Sequence, residues 1–157
     1  MIFVTIGTQI SFDRFIEAID EVATLIDEPI IAQVFKGSYQ TKNVKTVDFL
    51  NPDEFNKLME EARLIVGHAG MGTILSALKY EKPIIIFPRM ASLGEHRNDH
   101  QMVTAMRMNE LGYVHVAYDR KQLKALILNK DLQPLKKLNS NPSNNMIDFI
   151  INSVIKR

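Results

Sequence analysis

The chain has 157 residues, 46% of them hydrophobic, with 19 Lys/Arg against 18 Asp/Glu and no cysteine. That length suits one domain with a full core, and the missing cysteines exclude a disulfide scaffold, thiol catalysis and thiolate zinc sites. A net charge of +1 argues against bulk binding to nucleic acid, and with neither a signal-peptide pattern nor the ~20 apolar residues of a membrane span, a cytoplasmic chain is expected.

In chain order, residues 2–6 read as a strand, followed by Gly7-Thr8 and a helical pattern with Ser11 as its N-cap. Phe12, Phe15, Ile16, Ile19, Val22 and Ala23 recur there at helical spacing, and Pro29 closes the helix. Residues 30–35 and 44–49 are the second and third strands. Asn51-Pro52 opens a helix to about Ala62, with proline at the favoured first position. Residues 64–66 form a short buried strand that runs into His68-Ala69-Gly70-Met71-Gly72-Thr73, and a helix continues to about Tyr80. Residues 83–87 are a fifth strand, 88–94 a loop, 95–111 a helix and 113–117 a sixth strand. Asp119 caps a helix over 121–128. The polar run 139–145 reads as a linker. Met146, Ile147, Ile150, Ile151 and Val154 then mark a C-terminal helix, about 143–156, that either packs on its own domain or docks a partner.

Charge is uneven along the chain: residues 119–157 hold eight Lys/Arg and three Asp/Glu, net +5, and residues 1–118 hold eleven and fifteen, net −4. The basic tail is either a solvated surface or a face for anionic lipid or an acidic partner. Strands separated by helices of these lengths need crossover connections. The expected fold class is therefore α/β, a Rossmann-like parallel sheet with helices on both faces, which binds its ligand at the carboxyl ends of the strands.

Three loops fall at those ends. Gly7 after the first strand lets backbone approach a phosphate, and Thr8 adds a hydroxyl; a ligand-free turn would look alike. In His68 to Thr73, free N–H groups and the positive helix end make an anion site, with His68 and Thr73 as side-chain donors. No Gly-Lys-Ser/Thr follows, so it is not a Walker loop. The alternative is a helix start packed on the sheet with His68 in the core. In residues 89–101, His100 and Gln101 suit vicinal sugar hydroxyls. The rivals are a metal site, with His96 and His100 four apart on one helical face beside Glu95 and Asp99, or a solvated helix start.

Val4-Thr5-Ile6-Gly7-Thr8, residues 62–73, residues 82–89 and Gly94-Glu95-His96-Arg97-Asn98-Asp99-His100-Gln101 together resemble the donor-binding half of GT-B glycosyltransferases over about the first 118 residues. The chain resembles the PssE-type subunit of bacterial two-component exopolysaccharide glycosyltransferases. It is also similar to family 28 C-terminal domains and to the catalytic subunit of the eukaryotic two-subunit UDP-N-acetylglucosamine transferase. The resemblance implies a single Rossmann-like domain over 1–157 and a UDP-sugar donor. His68 and Thr73 would act on the diphosphate, with Gly70, Met71 and Gly72 presenting backbone to it. Phe49 and Leu50 match the uracil position, and Glu95, His100 and Gln101 match the donor-sugar motif. Ser76 stands where related enzymes often carry a ribose-binding Glu. The resemblance further implies an inverting transfer without metal and a membrane-anchored acceptor-binding subunit. That subunit would present a polyprenyl-diphosphate-linked saccharide and recruit this chain to the inner face of the plasma membrane for exopolysaccharide or capsule synthesis. A noncatalytic nucleotide-binding module and a metal-dependent hydrolase remain as alternatives.

Overall fold

The computed structural model describes residues 1–136, so the expected linker at 139–145 and the helix at 143–156 lie outside the described residues. Six parallel strands form one sheet: β1 (Ile2–Thr5), β2 (Ile30–Gln33), β3 (Lys45–Val47), β4 (Leu64–Gly67), β5 (Ile84–Ile86) and β6 (His115–Val116). Their spatial order is β3-β2-β1-β4-β5-β6. The chain runs outward from β1 to β3, then crosses back to place β4 on the other side of β1. The connections leaving β1 and β4 therefore diverge, and the crevice between their carboxyl ends is the place where such sheets bind ligands.

Alternation of side chains explains the layers. Ile2 and Val4 of β1, with Leu64 and Val66 of β4, face one core, against α1 (Asp13–Ala23) and α5 (Arg120–Leu128). Phe3 and Ile65 face the other, against α2 (Pro52–Glu61), α3 (Met71–Lys79) and α4 (His100–Glu110). The central strands are buried on both faces, as parallel sheets require. Among the described residues, no helix is long and apolar enough to cross a membrane.

Several boundaries differ from expectation for identifiable reasons. Helix α1 starts at Asp13 with Phe12 at the cap position and no side-chain cap, so Ser11 does not cap it. The Ser11 carbonyl instead accepts from Arg89. The same helix ends at Ala23 rather than at Pro29, with the Thr24 hydroxyl donating to the Glu21 carbonyl. The helix expected from Glu95 begins only at His100. Gly94 is left-handed (φ +69°), and the side chains of Glu95, His96, Asn98 and Asp99 accept from nearby backbone N–H groups in place of a helical ladder. The caps of α2 and α5 follow expectation. Asn51 and Glu54 form a reciprocal capping box before Pro52, and Asp119 accepts from the Gln122 N–H at 2.8 Å.

Candidate nucleotide-sugar site

The site is built from the turn after β1. The Thr5 hydroxyl accepts from the Gly7 N–H (3.3 Å) and donates to Gln33 Oε1 (2.9 Å), which ties the turn to the end of β2. Gly7 then takes φ +77°, a left-handed conformation that glycine adopts without strain. Across the crevice, β4 ends at Gly67 and Gly70 caps α3 with its backbone alone. No side chain satisfies the first N–H groups of this helix, so they remain as donors at the positive end of its dipole.

His68 packs between these two elements. A Cβ on Gly7 would lie 3.1 Å from its ring, and one on Gly70 only 2.2 Å from Nε2. Nδ1 is 3.4 Å from the Thr5 carbonyl; because a carbonyl only accepts, Nδ1 carries the proton and Nε2 of the neutral ring is a bare lone pair. Burial, then the charge of Arg89, pushes the His68 pKa down to about 4; the bond to Thr5 opposes the shift and His96 adds to it.

Arg89, 2% exposed, lies beneath the turn. Its guanidinium donates to the carbonyls of Ser11 (2.5 Å), Ile6 (3.0 Å) and Ile10 (2.7 Å) and sits 4.5 Å from the centre of the Phe12 ring. Burial lowers its pKa to about 10, which Glu95 partly offsets, so it stays charged at neutral pH. Glu95 itself bridges Arg14 (2.5 and 2.9 Å) and the Met90 N–H (2.9 Å). The Arg89 N–H donates to Gln101 Oε1 at 3.1 Å, and Gln101 lines the cavity.

Two small cavities meet here. One, about 320 Å³, is lined by His68, Gly70, Gly72, Arg89, His96 and Gln101 among others, and no carboxylate lines it. The second, about 330 Å³, is lined by Gln33, Leu50, Phe55 and Asn56 and contains no charged residue. Gly7, Thr8 and Thr73 line both. The first has the electrostatics for a diphosphate: uncapped helix amides, a buried guanidinium and no carboxylate in its lining. The second offers apolar side chains and amides, suited to a planar base.

Seven of the expected residues, Gly7, Thr8, His68, Gly70, Gly72, Thr73 and Gln101, line the first cavity. Leu50 lines the second, but its neighbour Phe49, 73% exposed, lines a different cavity. Met71 begins α3 and rests against the core beside that helix, so its backbone is what it brings to the site. Ser76 lies one turn further along α3, and His100 is exposed at the start of α4; neither lines these two cavities. His96 does, and it is not on α4, so the helical face on which His96 and His100 were to share a metal does not exist. Among the described residues, no three His, Asp or Glu side chains group as metal ligands. Gln33 was missed; a glutamine closing the apolar strand Ile-Ile-Ala-Gln was its signal.

Comparison with known proteins shows the family and the fold. The Candida albicans protein "UDP-N-acetylglucosamine transferase subunit ALG13" is 27% identical over 93 residues, 59% of this chain and 30% of that protein. The chain spans about half or less of the length of its curated relatives. The solution structure of ALG13 superposes with a TM-score of 0.60 at 18% identity, covering 99% of this chain and 96% of that one. The Acinetobacter baumannii MurG crystal structure gives 0.62 at 16% identity, covering 99% of this chain and 49% of MurG. With the glycosyltransferase family 28 C-terminal domain matching residues 1–156, the chain belongs to that family of glycosyltransferases.

Proposed function

We propose that this chain is the UDP-sugar-binding catalytic subunit of a two-component inverting glycosyltransferase of the PssE type. Its acceptor is a polyprenyl-diphosphate-linked saccharide in exopolysaccharide or capsule synthesis. The observation that carries the reading is the acid-free cavity where the uncapped start of α3, His68 and the charge of Arg89 converge. The name of the Candida relative, a UDP-N-acetylglucosamine transferase subunit, supports both the donor class and the need for a second subunit.

In this reading the diphosphate lies against the N–H groups of Met71, Gly72 and Thr73, with the Thr73 hydroxyl and His68 beside it. The base rests in the second cavity, near the backbone of Leu50 and the free amide nitrogen of Gln33. Gln101 reads a sugar hydroxyl, and Glu95 acts through Arg14 and Met90 by fixing the loop that carries Gln101. An acceptor hydroxyl oxygen attacks C1 of the donor sugar as the bond from C1 to the diphosphate oxygen breaks. The hydroxyl proton passes to a base on the partner subunit, and the negative charge growing on UDP is met by preorganised donors. The scheme uses no metal ion. The partner is membrane-anchored and holds this cytoplasmic chain at the inner face of the plasma membrane.

Ligand linkage tests the reading. UDP at ~100 times its Kd stabilises the fold by about 2.7 kcal/mol and raises Tm by several degrees. His68→Ala and Thr73→Val remove most of that shift. No response to millimolar UDP overturns the reading. Turnover of a UDP-sugar by the chain co-expressed with its acceptor subunit separates a catalytic subunit from a noncatalytic binding module.

A further inference from the structure

A third cavity, about 670 Å³, opens at the carboxyl ends of β1, β2 and β3 and adjoins the diphosphate cavity; Ile6 and Thr8 line both. Aromatic rings form much of its wall: Phe12, Phe35, Tyr39 and the exposed Phe49. Its frame is rigidly built. Asp13 accepts from the Ser38 N–H and hydroxyl (3.1 and 2.6 Å), and Asp20 accepts from the Lys42 and Asn43 N–H groups and the Tyr39 hydroxyl. Those bonds pin the loop between β2 and β3 onto α1. Set apart from this frame, the side chains of Thr8, Gln40, Thr46 and Asp48 also line the cavity and make no hydrogen bond among the described residues.

These free groups and rings define a ligand. The charged residues lining the cavity are Asp13 and Asp48 against Lys36, so a second phosphate would meet net negative charge. A pyranose fits: its C–H face covers an aromatic ring, and its hydroxyls find an acceptor in Asp48 and two-way partners in Gln40 and the threonines. We propose that this cavity is a saccharide subsite that the chain contributes to the acceptor presented by the partner, holding a neutral monosaccharide unit of it beside the donor diphosphate. The assignment as acceptor rests on the donor reading above.

The test uses the full chain, ¹⁵N-labelled and saturated with UDP. It is titrated to about 50 mM with methyl β-D-glucopyranoside, methyl β-D-galactopyranoside and methyl N-acetyl-β-D-glucosaminide, the range where single-sugar affinities fall. At least one glycoside shifts the amides of residues 36–41 and 46–48. Asp48→Asn and Gln40→Ala each weaken that binding about fivefold or more, as loss of a hydrogen bond would, and leave UDP affinity within about twofold. The proposal is overturned if all three glycosides leave these amides unmoved, or if their shifts fall at Gln101 and His96. It is also overturned if a UDP-sugar, compared with UDP, shifts residues 36–41, because the pyranose held there is then the donor's. Failure of the donor reading is read separately, as the absence of any UDP-induced shift at residues 70–73.

Discussion

The Cα of Gly70 lies so close to the His68 imidazole that a methyl group there would stand 2.2 Å from Nε2, whereas a methyl on Gly72, two residues on, would meet nothing within 4 Å. The two glycines therefore serve different ends. Gly70→Ala must displace the ring, with an expected loss of about 1–3 kcal/mol from overpacking and a marked loss of UDP affinity. Gly72→Ala relieves a helix position, worth up to about 1 kcal/mol of added stability, while its methyl obstructs the diphosphate. Urea denaturation and UDP titration of both variants check this split. Adding His68→Ala to Gly70→Ala opens the space the methyl needs, so the double variant is more stable than the sum of the single effects by about 0.5–3 kcal/mol.

His68 makes the free protein acid-sensitive. Its ordinary pKa of 6.5 falls to about 4 in the fold, so between those values the unfolded chain binds more protons. Stability therefore rises with pH across this window and is lost as pH falls through it, by up to about 3 kcal/mol. His68→Gln removes that slope. With Nδ1–H given to the Thr5 carbonyl, Nε2 donates to a phosphate oxygen only after taking a second proton. Binding of a UDP-sugar, whose diphosphate does not titrate here, is then coupled to proton uptake and weakens as pH rises from about 5 to about 7. Calorimetry in two buffers of different ionisation enthalpy reads the uptake directly. A wild-type protein whose affinity is flat over this range excludes His68 as a donor to the diphosphate.

The parallel sheet was legible because local rules and global packing coincide. Phe3 and Ile65 alternate with Val4 and Val66, and the proline and glycine punctuation falls where crossovers begin. The first cavity was legible for the same reason: His68, Gly70 and Thr73 fall within six residues where a strand runs into a helix, and Gly7 closely follows the first strand. Residues that act across the chain were harder to read. Gln33 reaches the site only because β2 lies beside β1, and Arg89 is buried by carbonyls 78 to 83 positions away. Segment 95–99 has helical periodicity, but its polar side chains bond the nearby backbone and Gly94 turns the chain, so periodicity misplaced the start of α4. Phe49 and Leu50 are adjacent yet line separate cavities, a divergence no spacing rule shows.

Arg89 holds the turn after β1 by three carbonyls, those of Ile6, Ile10 and Ser11. Arg89→Met keeps much of the volume but strands those acceptors, and is expected to cost about 3–5 kcal/mol. Arg89→Lys costs less but still more than about 1 kcal/mol, since one ammonium lacks the planar fork that reaches all three. UDP affinity falls in both through the loosened turn, and falls further in Arg89→Met because the charge is also gone. Urea denaturation and UDP titration check the pair; Arg89→Met at wild-type stability removes the claim that this guanidinium organises the turn.

Asp20, 2% exposed, anchors the wall of the third cavity from within α1. Burial alone would raise its pKa, but the N–H groups of Asn43 (2.7 Å) and Lys42 (3.0 Å) and the Tyr39 hydroxyl (3.0 Å) hold it below the ordinary 3.8. The stability it contributes is present above about pH 4 and is lost as pH falls through the depressed folded value, a step below the His68 window. Asp20→Asn turns an amide NH₂ toward N–H donors and is expected to cost about 2–4 kcal/mol, whereas Tyr39→Phe, losing one neutral donor, costs about 1 kcal/mol. Limited proteolysis gives the local readout: Asp20→Asn exposes residues 36–44 to cleavage while the core remains folded. Equal protection of that loop in the variant and the wild type would mean that Asp13 and Ser38 hold it without help from Asp20.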